Sequence, residues 1–160
     1  MFKKVAIYLL AVAFISGCGY KMVLTGTKAA FTLYPDRIEN RTSEIEATSA
    51  FEDGVNIYLA TINALAEKDK ADYQSEFILT SLKYSGSSST STTTTANVFI
   101  SMNVVVRDKD NKVVFNRTFS TYENYSNTPS MSETTNNRND ALEDAIARLM
   151  TDFRNGFERK

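Results

Sequence analysis

Cys18 is the only cysteine in a chain of 160 residues that has no histidine and no tryptophan. A lone cysteine allows no internal disulfide. The lack of histidine removes most zinc sites, Cys/His nucleophile pairs and Ser/His/Asp triads. What remains for Cys18 is the chemistry of a single thiol. It closes the sequence Ile15-Ser16-Gly17-Cys18. Small residues at the two positions before it suit a peptidase that cuts just ahead of the cysteine, once a lipid has alkylated the thiol. Upstream, Lys3 and Lys4 give a basic start, and Val5 to Ile15 is an eleven-residue apolar run. A helix of that length spans about 16 Å, roughly half of a bilayer core of about 30 Å. It is too short to cross a membrane and suits the apolar region of a signal peptide.

This arrangement resembles the bacterial lipoprotein signal, whose usual form is Leu-Ala/Ser-Gly/Ala-Cys, with Ile15 here in place of Leu. The resemblance implies a signal peptide over 1–17, a lipidated leader over 18–30 and a single domain over 31–160. Residue 19 is Gly rather than Asp, and that favours the outer membrane over retention at the inner one. The expected location is thus the outer membrane, lipid-anchored and facing the periplasm. Each buried methylene contributes about 0.8 kcal/mol, and one myristoyl chain holds a protein only marginally. Lipoproteins of this type carry three chains, so the anchor would be effectively permanent. Loss of Lys3 and Lys4, and of no acidic residue, takes the net charge from −1 to −3.

Other groups with chemical potential are fewer. Asp108, Asp110 and Asn111 suggest a calcium loop, but the sixth and twelfth positions, which need Gly and Glu, are Val113 and Phe119. The segment 108–112 reads as a polar hairpin turn. Three Asn-x-Ser/Thr sequons begin at Asn40, Asn116 and Asn124; in a bacterial lipoprotein they are chance. Ser87, Ser88, Ser89, Thr90, Ser91, Thr92, Thr93, Thr94 and Thr95 form a tract without charge or large apolar residues. It reads either as a linker between strands or as an extended hairpin, since Thr favours strands. In the second reading its hydroxyls bond to a polar cavity wall or to sugar groups of a ligand. Lysine and arginine are scattered, and with a net charge near zero nothing suggests a nucleic-acid binder, which is normally basic. No cofactor site and no catalytic constellation is legible.

The elements that must carry these residues follow from periodicity. A strand is expected over 31–40; Pro35, which lacks an N–H, suggests an edge strand or a strand end. Ser43 with Glu46 reads as a capping box. It opens a helix of about six turns whose stripe runs through Ala47, Ala50, Phe51, Val55, Tyr58, Leu59, Ile62 and Leu65. Gly54 interrupts it at a cost of roughly 1 kcal/mol relative to Ala; it either permits close packing on the sheet or has no role. Strands follow over 73–84, 97–107 and 113–125. Val98, Ile100, Met102, Val104 and Val106 share one face of the second of these, and Val113, Phe115 and Phe119 one face of the third. A polar loop is expected over 126–139. Asp140 and Glu143 would cap the last helix, with Ala141, Leu142, Ala145, Ile146, Leu149, Phe153 and Phe157 on its apolar stripe. The order β-α-β-β-β-α gives an α+β two-layer sandwich. A four-stranded, mostly antiparallel sheet carries both helices on one face.

Several stretches together are similar to the LptE family of lipopolysaccharide-assembly lipoproteins. They are Cys18-Gly19-Tyr20-Lys21 after the signal, "IENRTSE" before the first helix, "VVVRDKDNKVVFNRTFS" across the hairpin, and a final amphipathic helix after an Asn-rich stretch. The resemblance implies two helices packed on a four-stranded sheet. It also implies a barrel partner, LptD, which such proteins plug and help to assemble, and contact with lipopolysaccharide. An anionic lipid calls for Lys or Arg. The 85–96 segment is neutral and 126–139 holds only Arg138, so Arg138 is the candidate contact. "ENRTSE" also resembles LpoB-like lipoproteins, which activate peptidoglycan synthases from the outer membrane. Those carry long tethers, whereas about a dozen residues here reach at most about 40 Å.

Overall fold

The computed structural model describes residues 28–86 and 94–159. Four strands and two helices appear in the expected order: β1 Leu33–Asn40, α1 Ala47–Thr61, β2 Tyr73–Ser85, β3 Thr94–Arg107, β4 Val113–Asn127 and α2 Met131–Glu158. The sheet order is β1-β2-β3-β4. β1 pairs parallel with β2, as a β-α-β connection requires, and the other two pairings are antiparallel. β1 is an edge strand, in agreement with Pro35.

The alternation in β3 builds the core. Val98, Ile100, Met102, Val104 and Val106 are wholly buried. The buried stripes of α1 (Ala47, Phe51, Val55, Leu59) and α2 (Ala141, Leu142, Ala145, Ile146, Leu149, Phe153, Phe157) join them in one cluster. Both helices therefore cover the same face. β2 contributes Phe77 and Leu79, then Leu82 and Tyr84 after a register shift between Leu79 and Ser81. The shift leaves Thr80 as an extra residue, and its hydroxyl bonds the Ser101 carbonyl at 3.1 Å.

Four expectations need correction. First, α1 does not start at Ser43. Asn40 takes over the turn: its Nδ2 donates to the Glu44 carbonyl at 2.9 Å, and its Oδ1 accepts from the Thr42 N–H and hydroxyl at 2.9 and 2.7 Å. Such side-chain bonds compete with a helix start, so helical bonding begins at Ala47 with no side-chain cap. Second, α1 has 15 residues rather than six turns. Asn63 adopts a left-handed conformation (φ 53°) that ends the helix. Leu65, 43% exposed, pairs beside Leu33 instead. Third, most of 126–139 is helix. Ser130, extended and following Pro129, accepts a bond from the Glu133 N–H at 3.4 Å, so the N-cap is Ser130 and not Asp140, and the Glu133 carboxylate accepts from the Thr128 hydroxyl at 3.2 Å. Fourth, Val113 leaves the face of Phe115 and Phe119. A shift between Val106 and Arg107 turns it outward to 43% exposure, and Val114 packs inward instead.

Gly54 serves the contact between the helices rather than a sheet contact. A Cβ there would stand 2.8 Å from Ile146 Cγ2, a branched methyl with little room to yield. Overpacking of this kind costs about 1–3 kcal/mol and outweighs the gain in helix propensity of about 1 kcal/mol. Gly54→Ala is expected to destabilise the fold by about 1 kcal/mol, lowering Tm by roughly 2–4 °C in a thermal melt followed by circular dichroism.

Candidate functional site

Two ends of the molecule differ in kind. At one end the described chain begins, with the Ala29 N–H bonded to the Ile62 carbonyl at 2.9 Å. Phe31 there meets Phe157, near the end of α2, at 4.8 Å between ring centroids. The 108–112 turn shares this end, since Asp108 and Lys109 line a cleft with Phe31, Tyr73 and Phe157. Asp72 is locked to Thr32 through that residue's hydroxyl (2.7 Å) and N–H (3.0 Å). These bonds hold the Asp72 carboxyl below its usual range.

The opposite end gathers the ends of β2 and β3 and the starts of both helices. Thr94 and Thr95 are strand residues, paired with Asn127 and Ser126 of β4, beyond the last β2 pair at Ser85–Asn97. Residues Ser87 to Thr93 lie outside the described residues, as does Cys18.

Arg138 sits at this end, on the first half of α2. Its guanidinium centre lies 4.8 Å from the Tyr84 ring centroid, and Nη2 approaches Glu46 Oε2 at 3.5 Å. Nε is buried with no hydrogen-bond acceptor among the described residues. Burial pushes the Tyr84 hydroxyl above its usual value, and the guanidinium partly offsets this. The surrounding cleft, about 320 Å³, also holds Glu44, Asp53 and Glu143. Arg138 therefore acts first as a strut that joins α2 to β2 and to the start of α1. Thr134 and Asn137 extend the same anchoring. The Thr134 hydroxyl accepts from the Thr128 N–H at 2.9 Å, and Asn137 Nδ2 donates to the Ser126 carbonyl at 3.0 Å. The sequence holds a signal for this extension, Pro129-Ser130-x-x-Glu133, which the density of Asn and Thr obscures.

The second face of the sheet is covered by no helix of the described chain. Toward β1 it carries a line of alternating charge: Arg41, Glu39, Arg37, Glu76 and Arg107, with neighbouring contacts of 2.9 to 3.8 Å. The Arg41 hydrogen bond holds the Glu39 carboxyl below its usual value. Toward β4 the face is neutral and polar. Ser101 bonds Ser120 at 2.9 Å, and Asn103 bonds Asn116 at 3.1 Å. Phe99 stands opposite Tyr122, which is 60% exposed. Among the described residues no cluster of His, Cys, Asp or Glu is arranged to hold a metal, and no helix is long and apolar enough to cross a membrane.

The model of the LptE lipopolysaccharide-assembly family matches residues 32–155, from the start of β1 to within the last turn of α2. The chain belongs to that family. Its expected fold and order of elements are those observed. Solved structures with the same fold include a candidate lipoprotein from Caulobacter crescentus (14% identity, 73% of this chain and 84% of that one, TM-score 0.54). A Xanthomonas campestris protein is 18% identical over 82% of this chain and 85% of its own, TM-score 0.53. A lipoprotein B from Nitrosomonas europaea is 8% identical over 86% and 88%, TM-score 0.53. At these identities the likeness is one of fold. No curated protein matches the sequence.

Replacing Arg138 tests the strut. Arg138→Ala loses the stacking on Tyr84 and the stem's packing, and is expected to destabilise the fold by about 1 kcal/mol. Arg138→Met keeps the stem and removes the unpartnered Nε, so its melting temperature should stay closer to that of the parent.

Proposed function

We propose that this LptE-family chain is a lipid-anchored plug and assembly factor for an LptD-type β-barrel of the outer membrane. Cys18 carries the lipid, the body occupies the barrel lumen, and the Ser/Thr segment contacts the barrel wall. The observation that carries this reading is the opposition of the two ends. The described chain starts beside Phe31 and the 108–112 turn, while β2 stops at Ser85 and β3 starts at Thr94 at the far end. The 14 residues of β3 span roughly 45 Å between them. A protein tethered at the membrane surface by a short leader would thus present its neutral hydroxyl-rich segment deep in a lumen. A wide barrel left unfilled would leak, and a wet, polar interface suits such a segment.

Arg138 is the cation this reading assigns to a lipopolysaccharide phosphate. Glu46, whose side chain is 90% exposed, would swing aside to free the guanidinium edge it now faces. The family match over 32–155 supports the barrel partner over a peptidoglycan synthase.

Three outcomes check the proposal. The full-length chain, extracted from outer membranes in detergent, should bring down an LptD-type barrel identified by mass spectrometry. Recovery of a peptidoglycan synthase in its place would overturn the reading. Cys18→Ala should leave the protein unprocessed or unanchored; persistence of the variant in the outer-membrane fraction refutes the lipid assignment. Removing 87–93 should weaken co-purification with the barrel while the melting temperature holds. Equal recovery would reduce that segment to a connection.

A further inference from the structure

The two edges of the sheet are built differently. β1 carries Pro35, a register shift between Pro35 and Arg37, and the charges of Arg37 and Glu39. These devices keep another strand from adding to an edge. β4 has 15 residues, no proline and no lysine. It runs in unbroken register against β3 from Asn127 to Phe115. Among the described residues no further main chain bonds along its outer side.

The sequence of β4 is self-complementary about Ser120. Its only charges are Arg117 and Glu123, each three residues from that centre. In an antiparallel pair, residues directly opposite share a face of the sheet. Two copies of β4 centred on Ser120 would set Arg117 opposite Glu123 of the second copy, twice. The same register sets Asn116 opposite Asn124, and Phe115 opposite Tyr125. Centring on Arg117 or on Glu123 would oppose like charges. Centring on Phe119 or Thr121 leaves both charges without an opposite. Glu123 already meets Arg148 at 2.7 Å, while Arg117 is exposed and has no carboxylate partner among the described residues.

We propose that β4 is a self-association edge, pairing antiparallel with β4 of a second copy about Ser120 to give one continuous eight-stranded sheet. Antiparallel addition keeps both helical layers on the same side. The inference goes beyond the barrel reading: the paired form is that of the chain outside a barrel, and its failure would leave the barrel reading standing.

The test uses the full-length chain, produced without a barrel partner, in detergent and a short bismaleimide. Ser120→Cys places the two thiols directly opposite, roughly 5 Å apart. Thr118→Cys places them four residues off register, roughly 14 Å apart. The parent chain, with Cys18 alone, sets the background. Ser120→Cys should cross-link to a homodimer and Thr118→Cys should stay at background. In the Ser120→Cys chain, Arg117→Glu and Glu123→Lys should each lower the dimer roughly tenfold, because each opposes like charges twice. Mixing those two variants should restore it, since each then meets its opposite. Equal cross-linking of Ser120→Cys and Thr118→Cys, no recovery in the mixture, or capture of a different polypeptide in place of the homodimer would overturn the proposal.

Discussion

Phe153 is the contact on which the rest of the molecule depends. Its ring lies edge-on to Phe31, Phe77, Phe115 and Phe119 at centroid distances of 5.4 to 6.4 Å, and stacks with Phe157 at 5.8 Å. Those partners come from the segment before β1, from β2, from β4 and from α2 itself. One side chain thus ties the last helix to three separate parts of the chain. Each edge-to-face pair adds about 0.5–1.5 kcal/mol beyond the area it buries. The cluster fixes where the chain enters, because Phe31 is held against both Phe153 and Phe157. That fixed point makes the opposite end, where β2 stops at Ser85 and β3 starts at Thr94, the far end.

Covering one face of a sheet has a consequence for the other. With both helices on the face of Val98 to Val106, the second face is free to carry function. It is polar without being strongly charged across most of its width, and the charges toward β1 are paired in a row, with exposed Lys83 standing apart from them. Such a surface is costly to bury in lipid or hydrocarbon. It is well suited to a wet protein wall, where Asn, Ser and Thr side chains exchange water for polar partners at little cost. The family assignment and the proposed seat within a barrel agree with this division.

The regular parts of the fold were legible because burial repeats there. Alternation in 98–106 and the three-to-four spacing from Ala141 to Phe157 reflect a single core, and each gave the right face. Misreadings arose where polar side chains decide. Ser43 and Glu46 look like a cap, but Asn40, held at the end of β1, reaches Glu44 and Thr48 and delays the helix. The stretch 131–139 reads as loop because Asn and Thr are poor helix formers. It is helical because Thr134, Asn137 and Arg138 each find a partner on another element.

Of the candidate site residues, the sequence by itself determined the chemistry. Cys18 is the only thiol, the Ser/Thr segment is neutral and hydroxyl-rich, and Arg138 is the one cation between β4 and the buried part of α2. Composition and spacing are local properties, and a chain shows them unfolded. Tertiary structure decided what those residues face. It set Arg138 over Tyr84 among carboxylates, put Thr94 and Thr95 in strand, turned Val113 outward, and left β4 as the open edge. Those outcomes depend on which elements become neighbours, and that is fixed only when the aromatic cluster closes and brings distant segments into contact.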